Sequence, residues 1–555
     1  MGPDEPRYAW IARAMAESGD WVTPRLYGAP WFEKPVLYYW GAGLSFKIFG
    51  VSEAAARLPS AVSALLATLA LAWLAWRVYG MATARWLLLL LPTCVGMIGF
   101  SHAAATDMPF SGMLTVAMVC AAVVLGLTRN DKTPILPRTP WLALVLFGFF
   151  LGLAVLAKGP AAIILSGGGV FFWAIFTKRW RDAFRLLHPV AIVAFCATAL
   201  PWYILCARRN PDFFRVFIIE HNFKRFLTPE FQHVQPFWYY APVLLVAFLP
   251  WTGMLLWAVV VGWRSVVRRR DVDVEGRVET ATMEAVEDPG TDGGAEKAAG
   301  LNGKRPALQE WINVGGGLGW FLVCWAGFCV IFFSASHSKL PGYVLPAIPA
   351  MGLLVARAFV EMRDRYRVSF RVVHFVVAAS FFMIFAVMEM LAGHPHFGSR
   401  RFAGAVAILG LVFALVNAIA GALAPSTRFR RYDLAALAVV PVLGAMLLAN
   451  HFIASFFFWD PSGRTMAHEL QQRGIPAGAI SVSGMKRGMQ YGLSFYLHQE
   501  IKEWDAKSET GGYLLTASKD CGRVVGTEFF CEAQSFDADG TGRFLYLVIP
   551  IADGK

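Results

Sequence analysis

Long apolar runs, separated by short polar loops, occupy most of this chain. A membrane-spanning helix needs about 20 mainly apolar residues, and the hydropathy pattern offers twelve runs of that kind. They cover residues 53–76, 83–101, 107–127, 141–157, 160–177, 189–206, 239–263, 313–334, 341–360, 372–391, 402–424 and 434–457. Two of the runs, 141–157 and 160–177, can also be taken as one hairpin broken at "AKGPAA". The pattern predicts a mainly α-helical polytopic membrane protein with about twelve transmembrane helices.

The composition agrees with this prediction and excludes a soluble protein. Hydrophobic residues make up 57% of the 555 positions and charged residues only 16%, against roughly 25% charged residues in soluble domains. The net charge is +12, but Lys and Arg lie mostly in short loops between the apolar runs. Basic residues in such loops set membrane topology, so nucleic acid is not an expected partner.

The loop charges assign the two sides of the membrane. One set of alternate loops, which includes "RVYGMATAR", "TKRWRDAFR" and "RSVVRRR", is rich in Arg and Lys, and the positive-inside rule assigns it to the cytoplasm. The other set, which includes "SHAAATD", "LAKGP" and "SASHSKLPG", carries at most one Lys per loop. We therefore expect these loops, and both ends of the chain, to lie outside.

An outer location for residues 1–52 has a consequence for the intact protein. None of the twelve runs precedes this segment to carry it across the membrane. We therefore expect a further helix upstream of the present start, and thirteen spans in all. The expected location is the inner membrane of a bacterium, with the outward loops in the periplasm.

Two outward segments have an interfacial character. In the segment 1–52, apolar Tyr8, Ile11, Ala12 and Met15 recur at helical spacing, which predicts a short helix with one apolar face. Such a helix is suited to lying in the membrane interface. Residues 207–238 mix aromatic and basic side chains in the same way. Both segments could rim a cavity that opens toward lipid.

Two polar stretches lie apart from the membrane-spanning runs of the region 53–458. Residues 271–310 are rich in Gly and Glu, which predicts a disordered cytoplasmic insertion. Residues 459–555 predict a small periplasmic α/β domain, with a helix near 462–473 followed by strands at "AISVSG", "LSFYLH", "GGYLLTA" and "RFLYLVIP". Cys521 and Cys531 fall in this domain. An oxidising compartment would permit a disulfide between them, although sequence gives no geometry to decide it.

Ionisable residues from separate loops gather on the predicted outer side. They are Asp4, Glu5, Arg7, Glu33, Lys34, Asp107, Lys158, Glu220, His221, Arg225, His233, His337 and Lys339. Any single Lys or Arg at a helix end is explained by snorkelling, and Asp107 alone by helix capping. As a group these residues predict a functional site, because such groups are costly near hydrocarbon. Cations suggest a phosphate ligand, and carboxylates suggest a general base or a metal.

Two absent motifs narrow the class of donor. The chain contains no phosphate-binding P-loop, and its outward loops contain no Asp-x-Asp pair of the kind expected for nucleotide sugars. A site outside the membrane would in any case need a donor that has already crossed it. A sugar carried on a lipid phosphate meets that need, so no nucleotide cofactor is expected.

Several motifs resemble one known family. "DEPRYAWIARAMAESGDWVTPRLYGAPWFEKPVLYYW", "TDMPF", "GLAVLAKGP", "EHNFKRF", "HVQPFWYY" and "SHSKLPGYVLP" follow one another along nearly the whole membrane part. In this order they are similar to the bacterial lipid A 4-amino-4-deoxy-L-arabinose transferases, members of the GT-C glycosyltransferases, with protein O-mannosyltransferases as more distant kin. The resemblance implies a thirteen-helix membrane domain and transfer of a sugar from a polyprenyl phosphate, usually undecaprenyl phosphate, to a periplasmic acceptor.

The resemblance also implies roles for residues of this chain. Asp4 and Asp107 match the family's two acidic positions and are the expected catalytic residues, together with Glu5. The remaining expectations are donor-phosphate binding by Lys34, Lys158, Lys339, Arg7 and Arg225; substrate binding by Tyr8, Tyr38, His221, His233 and Tyr343; and ligation of a divalent metal by Glu33 and His337. The expected partners are a polyprenyl-phosphate-linked sugar, a periplasmic lipid or glycan acceptor and membrane lipids, with the protein a monomer.

Two alternative functions stay open. A protein O-mannosyltransferase-like enzyme would use the same class of donor and a different acceptor. A polyprenyl-lipid flippase or transporter would want its charges at the membrane midplane and paired repeats with broken helices, whereas the charges here cluster at one surface. The insertion at 271–310 and the generic tail depart from the family pattern, so the acceptor does not follow from the motifs.

Overall fold

The computed structural model describes residues 4–128, 140–217, 220, 235–259, 317–366, 370–392, 400–423, 463–504, 513–516, 529–537 and 544–550. These residues are mainly helical. Helices of the first half are α1 (Glu5–Ser18), α2 (Leu37–Phe49), α3 (Glu53–Tyr79), α4 (Met81–Leu90), α5 (Val95–Ser101), α6 (Asp107–Val124), α7 (Trp141–Lys158), α8 (Ala161–Thr177), α9 (Trp180–Phe184) and α10 (Pro189–Arg209). Helices of the second half are α11 (Tyr240–Ala247), α12 (Leu318–Ala335), α13 (Ile348–Tyr366), α14 (Phe370–Ala392), α15 (Arg400–Leu423), α16 (Arg464–Gln472) and α17 (Arg487–Leu497).

The apolar runs form a membrane-type helix bundle. Within the described ranges, six helices are long and apolar enough to cross a bilayer, or seven if α4 and α5, bent by 63° at their junction, form one broken span. The predicted run at 434–457 and the insertion at 271–310 fall outside the described residues. The polytopic helical character is therefore confirmed, while the number of spans stays a prediction.

Small residues let the central helices approach closely. Helix α6 is buried along nearly its whole length, and a Cβ at Gly112 would lie 2.6 Å from the backbone oxygen of Ser63 in α3. In the same way a Cβ at Gly148 of α7 would lie 2.1 Å from the backbone oxygen of Ala191 in α10. Small side chains at such crossings are the usual device for packing helices in a membrane, where no hydrophobic force drives them together.

The segment before α3 folds against the bundle as a compact unit. Strands β1 (Arg25–Leu26) and β2 (Ala29–Pro30) form an antiparallel hairpin between α1 and α2. Its two turn residues, Tyr27 and Gly28, have φ values of 52° and 73°, as the right-handed twist of a tight hairpin favours. The hairpin brings the chain back so that α1 and α2 pack on each other.

Helix α1 is present, and its apolar face, which the sequence suggested would meet the membrane interface, is covered by protein. Tyr8, Ile11, Ala12 and Met15 are buried, with at most 8% of their surface exposed. Helix α2 and the C-terminal helix α17 cover this face. The apolar stripe is satisfied by protein packing, and a hydrophobic periodicity cannot distinguish protein from lipid as the partner.

The C-terminal region contains a five-stranded mixed sheet. Its strands are β3 (Ile480–Ser483), β4 (Lys502–Glu503), β5 (Tyr513–Thr516), β6 (Phe529–Asp537) and β7 (Phe544–Pro550), in the order β4-β3-β5-β7-β6. Strand β3 pairs in parallel with β4 and β5, while β7 pairs antiparallel with β5 and β6. The predicted helix near 462–473 and three of the predicted strands are present. The strand predicted at "LSFYLH" is wrong, because that stretch is the end of helix α17.

The cysteines of the helices are reduced. Cys94, Cys120, Cys196, Cys206, Cys324 and Cys329 are free thiols, as expected for small apolar side chains inside helices. Cys521 and the side chain of Cys531 fall outside the described part of the chain, so their pairing stays a prediction.

The close crossing of α7 and α10 predicts a stability effect at Gly148. Gly148→Ala should destabilise the protein by about 1–3 kcal/mol, the usual cost of overpacking, because its Cβ would meet the backbone of Ala191. Gly167→Ala is the matched control, since a Cβ at this helical glycine meets nothing within 4 Å. Thermal unfolding of both purified variants in detergent tests this prediction, and equal midpoints for the two would contradict it.

Candidate active site

Arg7 lies between two carboxylates at the start of helix α1. Its guanidinium is 3.1 Å from Oε2 of Glu33 and 3.6 Å from Oδ1 of Asp4. The two acids differ in environment, since the Asp4 side chain is 79% exposed and the Glu33 side chain only 14%. Arg7 therefore joins one sheltered carboxylate to one that is open to an incoming molecule.

The surroundings of Arg7 keep it charged. Its guanidinium lies over the rings of Tyr8 and Trp31, at 5.1 Å and 5.6 Å from their centroids. Burial opposes its ionisation, but the neighbouring carboxylates of Glu33 and Asp4 raise the pKa of Arg7 above its ordinary value. Among the described residues, nothing accepts a hydrogen bond from its buried Nε. Arg7 is a fixed positive charge at the head of α1.

Glu5, the first residue of α1, is held by helix α3. Nε of Arg57 lies 3.1 Å from Oε2 of Glu5, and Nη1 of the same arginine lies 3.3 Å from Oε2 of Glu53. Glu5 is 16% exposed and Glu53 21% exposed, so both carboxylates are partly sheltered. One arginine thus ties the start of α1 to the start of α3.

A second charged pair joins helices α6 and α7. Lys158, the last residue of α7, forms an ion pair with Asp107, the first residue of α6. Its ammonium lies 4.6 Å from the centroid of the Tyr343 ring. Gly342 permits this arrangement, because a Cβ there would lie 2.8 Å from Oδ1 of Asp107. Thr106, at the N-cap position of α6, makes no side-chain cap bond. The carboxylate of Asp107, the next residue, binds Lys158.

Tyr8 lies at the head of α1, next to Arg7. It is buried against the rings of Tyr38 and Tyr39, with centroids 6.0 Å and 6.3 Å away. Burial raises the pKa of Tyr8, and the negative charges of Glu33 and Asp107 raise it further. The phenol is therefore protonated at neutral pH. The head of α1 and the Asp107–Lys158 pair are the two charged groups of the candidate site.

Lys339 has a different set of partners from the one expected. Its ammonium donates to the backbone oxygens of Gln235, at 2.9 Å, and Ser336, at 2.5 Å. The side chain is buried, and this burial lowers the pKa of Lys339. In this conformation Lys339 joins two loop segments, so its expected contact with a donor phosphate would add to these bonds.

The remaining expected residues fall into three groups. Lys34 follows Glu33 and is half-buried, and Tyr38 donates a hydrogen bond of 2.9 Å to the backbone oxygen of Ala56. His337 is exposed. Arg225, His221 and His233 lie outside the described residues.

The predicted metal ligands do not form a recognisable metal centre. Over the described ranges, no group of three or more His, Cys, Asp or Glu side chains is arranged to hold an ion. Glu33 is instead paired with Arg7. Among the described residues, Glu33 and His337 are therefore not part of a three-ligand centre of the kind that zinc uses.

Sequence reasoning missed Arg57 and Glu53. Both lie at the start of the first predicted apolar run. They were counted there as residues of a membrane span and not as candidates for the site. An arginine one turn inside such a run is costly unless it is paired. That cost was the available signal that Arg57 has an acidic partner among the residues of the first loop.

Comparisons with known proteins identify the family. The family model of dolichyl-phosphate-mannose-protein mannosyltransferases matches residues 1–217. The undecaprenyl phosphate-α-4-amino-4-deoxy-L-arabinose arabinosyl transferase of Edwardsiella ictaluri is 30% identical over 463 residues, which cover 82% of this chain and 73% of that protein. The chain belongs to this arabinosyl transferase family.

Two further relatives agree with this assignment. The arabinosyl transferase of Yersinia enterocolitica is 32% identical over 64% of this chain and 54% of its own length, so the chain spans about three quarters of the Edwardsiella protein and about half of the Yersinia protein. Among solved structures, ArnT from Cupriavidus metallidurans bound to undecaprenyl phosphate matches with a TM-score of 0.74 at 23% identity, over 100% of this chain and 94% of that one. The expected family and the helical membrane fold are confirmed: the chain is a member of a family of membrane glycosyltransferases.

The pairing of Asp107 with Lys158 predicts a non-additive stability effect. Asp107→Asn and Lys158→Met should each lower the thermal midpoint, because each leaves the partner as a sheltered charge without its counter-ion. The double variant should recover part of that loss. The exposed pair Asp212 and Arg215, 3.0 Å apart, is the control, and its single and double variants should change the free energy of unfolding by no more than about 0.5 kcal/mol. Additive losses for Asp107 and Lys158 would contradict their pairing.

Proposed function

We propose that this protein transfers 4-amino-4-deoxy-L-arabinose from undecaprenyl phosphate to an acceptor such as lipid A. The observation that carries the proposal is the arrangement around Arg7: a guanidinium between an exposed and a sheltered carboxylate, with a second acid–lysine pair where α6 begins and α7 ends. Cations and acids side by side suit a reaction in which a phosphate leaves while an acceptor oxygen arrives. The relatives named above support the choice of donor and sugar.

The reaction we propose is a single displacement at the anomeric carbon. An acceptor oxygen forms a bond to that carbon while the bond from carbon to phosphate oxygen breaks, and undecaprenyl phosphate departs with the electron pair. A hydroxyl acceptor would pass its proton to Asp4. If the acceptor is a phosphate oxygen no proton moves, and Asp4 orients the sugar. Attack opposite the leaving group inverts the anomeric centre.

Negative charge grows on the leaving phosphate in this step. We assign its stabilisation to Arg7, Lys34, Lys158 and Lys339, with Arg225 as a further candidate. Fixed positive charges next to a developing negative charge are often the largest contribution to catalysis. Arg7 and Lys158 are already positioned by Glu33 and Asp107, so they would need little rearrangement when the phosphate binds.

The acids have separate proposed roles. Asp4 is exposed and within 3.6 Å of Arg7, which suits contact with the acceptor. Asp107 and Glu5 are engaged with Lys158 and Arg57, which suits positioning of cations or of the sugar. Tyr8 and Tyr343 would form the aromatic wall beside the sugar, and the buried Tyr38 would support Tyr8 from behind. His221 and His233 stay candidates for substrate binding on the sequence alone. Each step of this mechanism is assigned to side chains alone.

The setting we propose is the periplasmic face of the inner membrane. The short loops that carry Asp107, Lys158 and Lys339 hold at most one Lys each, while the alternate loops are rich in Lys and Arg. The positive-inside rule then favours a periplasmic site, where a flipped lipid-linked donor and the outward leaflet are accessible. A monomer would suffice, since the acids and cations named above come from one chain.

A second candidate function differs only in the acceptor. The protein mannosyltransferase family model matches residues 1–217, which include Asp4, Arg7, Glu33, Asp107 and Lys158. Transfer to a Ser or Thr hydroxyl would need the proton acceptor that Asp4 supplies, whereas transfer to a lipid A phosphate would not. Mass spectrometry of envelope lipids and proteins, with and without the gene, distinguishes the two acceptors.

The exposed carboxylate of Asp4 provides the main test. Asp4→Asn should reduce transfer of the sugar by a factor of at least about 100, the scale of general acid–base and electrostatic contributions. Asp212→Asn, which alters an equally exposed aspartate that is 73% accessible, is the control and should keep full activity. Liquid chromatography with mass spectrometry of the glycosylated acceptor measures both. Wild-type rates for Asp4→Asn would remove this residue from the mechanism.

Lys34 tests the assignment of the donor site. Lys34→Ala should raise the KM for the lipid-phosphate donor more than the KM for the acceptor, because a cation that meets the phosphate acts on donor binding. Lys47→Ala is the control, since that lysine lies 5.1 Å from the Trp21 ring at the far end of α2. Steady-state kinetics with each substrate varied in turn gives the answer, and a larger change in acceptor KM would reassign Lys34 to the acceptor.

A further inference from the structure

A chain of polar contacts runs from the C-terminal region to the head of α1. The hydroxyl of Tyr496, in α17, donates a hydrogen bond of 2.8 Å to Oε1 of Glu53. The other carboxylate oxygen of Glu53 is 3.3 Å from Arg57, whose Nε is 3.1 Å from Glu5. Glu5 is the neighbour of Asp4 in sequence. Three contacts thus connect Tyr496 with Glu5. The backbone then connects Glu5 with Asp4, the carboxylate proposed to meet the acceptor.

Other contacts dock α17 against the same segment. The hydroxyls of Tyr27 and Ser494 are 3.0 Å apart, and the Tyr27 ring lies 5.8 Å from that of Tyr491. Phe495 lies 6.3 Å from Phe46 of α2. Helix α17 therefore packs through aromatic side chains on the segment before α3, residues 4–52, which we call the first-loop unit. This packing places the Tyr496 hydroxyl at Glu53.

The position of Glu53 makes the hydroxyl of Tyr496 important. Glu53 is 21% exposed, and its other cationic neighbour from the C-terminal region, Arg464, is 71% exposed at 3.4 Å. An exposed ion pair of that length contributes little, whereas a hydrogen bond to a sheltered charged group contributes more. Tyr496 is therefore the stronger of the two links between the C-terminal region and Glu53.

We propose that Tyr496 is a positioning residue: through Glu53 and Arg57, the C-terminal region holds the first turn of α1 and the acid beside it in place. Tyr496 acts on Glu5 and Asp4 only through these two residues. The consequence for catalysis rests on the function proposed above, whereas the effect on the first turn of α1 does not.

Hydrogen exchange measures the positioning effect independently of activity. Tyr496→Phe removes one hydroxyl and keeps the ring, so the packing of α17 should survive. We expect amide exchange at the first turn of α1, measured at Ala9 to Ala12 whose N–H groups donate to the carbonyls of that turn, to become about tenfold faster. This is the factor that corresponds to loss of one hydrogen bond to a charged group, and exchange in the sheet should be unchanged. Tyr491→Phe, which removes a hydroxyl from the same helix, is the matched control and should leave the first turn of α1 unchanged.

A second variant guards against an effect on folding. Glu53→Gln retains the carbonyl that accepts from Tyr496 but weakens the pairing with Arg57, so it should also speed exchange in the first turn of α1. The double variant with Tyr496→Phe should add little, because both changes interrupt one chain of contacts. Unchanged exchange in that turn for Tyr496→Phe, or faster exchange spread over the whole C-terminal region, would overturn the proposal.

Kinetics then relate the positioning effect to transfer. Tyr496→Phe should lower kcat about tenfold with little change in the donor KM, as expected for a displaced acid and an intact phosphate site. A rise in donor KM at constant kcat would overturn this role. If the wild-type protein transfers no sugar, the proposed function fails, while the exchange result still decides whether Tyr496 positions α1.

Discussion

Charged side chains at the edge of an apolar helix bundle have to satisfy one another, and the candidate site depends on that constraint. An unpaired charge beside hydrocarbon is costly, and three cations of the site each lie against a carboxylate from another segment. Arg7 pairs with Glu33, Lys158 with Asp107, and Arg57 with Glu5. Because the partners come from different elements, the pairs also join α1 to α3 and α6 to α7. The same contacts that make the charges tolerable therefore bring them together as a site.

The sequence was sufficient where a property is local or is imposed by the membrane. The spacing of Tyr8, Ile11, Ala12 and Met15 predicted helix α1, and the cost of charge near lipid identified Asp107 and Lys158 as functional candidates. The sequence could not show which charged residues of different segments form ion pairs. Whether Lys158 meets a phosphate or Asp107, and whether Arg57 has a partner, depends on which helix ends meet. That property is set by close packing at positions such as Gly112, which look like ordinary small residues in the sequence.

The expectations at α1 and α17 that the structure changed have a common physical origin. The apolar stripe of α1 needed a covering surface, and lipid was the only candidate visible in the sequence. The stretch "LSFYLH" is rich in aromatic residues, which favour strands when considered alone. In the structure the two segments pack on each other. Helix α17 places its aromatic side chains on the first-loop unit and helps to cover the apolar face of α1. Tertiary packing decided both the conformation of one segment and the surroundings of the other.

The two carboxylates next to Arg7 differ in their exposure to solvent. This difference suggests how an arginine that is already paired can still bind a ligand. Glu33 is sheltered and holds one side of the guanidinium at 3.1 Å, while Asp4 is exposed and lies 3.6 Å away. An interaction with an exposed carboxylate is weakened by water, so Asp4 can exchange Arg7 for another partner at small cost. Glu33 cannot leave without exposing a buried charge. When a phosphate arrives, Arg7 would keep Glu33 as its anchor and turn its outer side to the ligand. In the proposed mechanism, Asp4 would then be free to turn toward the acceptor once the leaving group is in place.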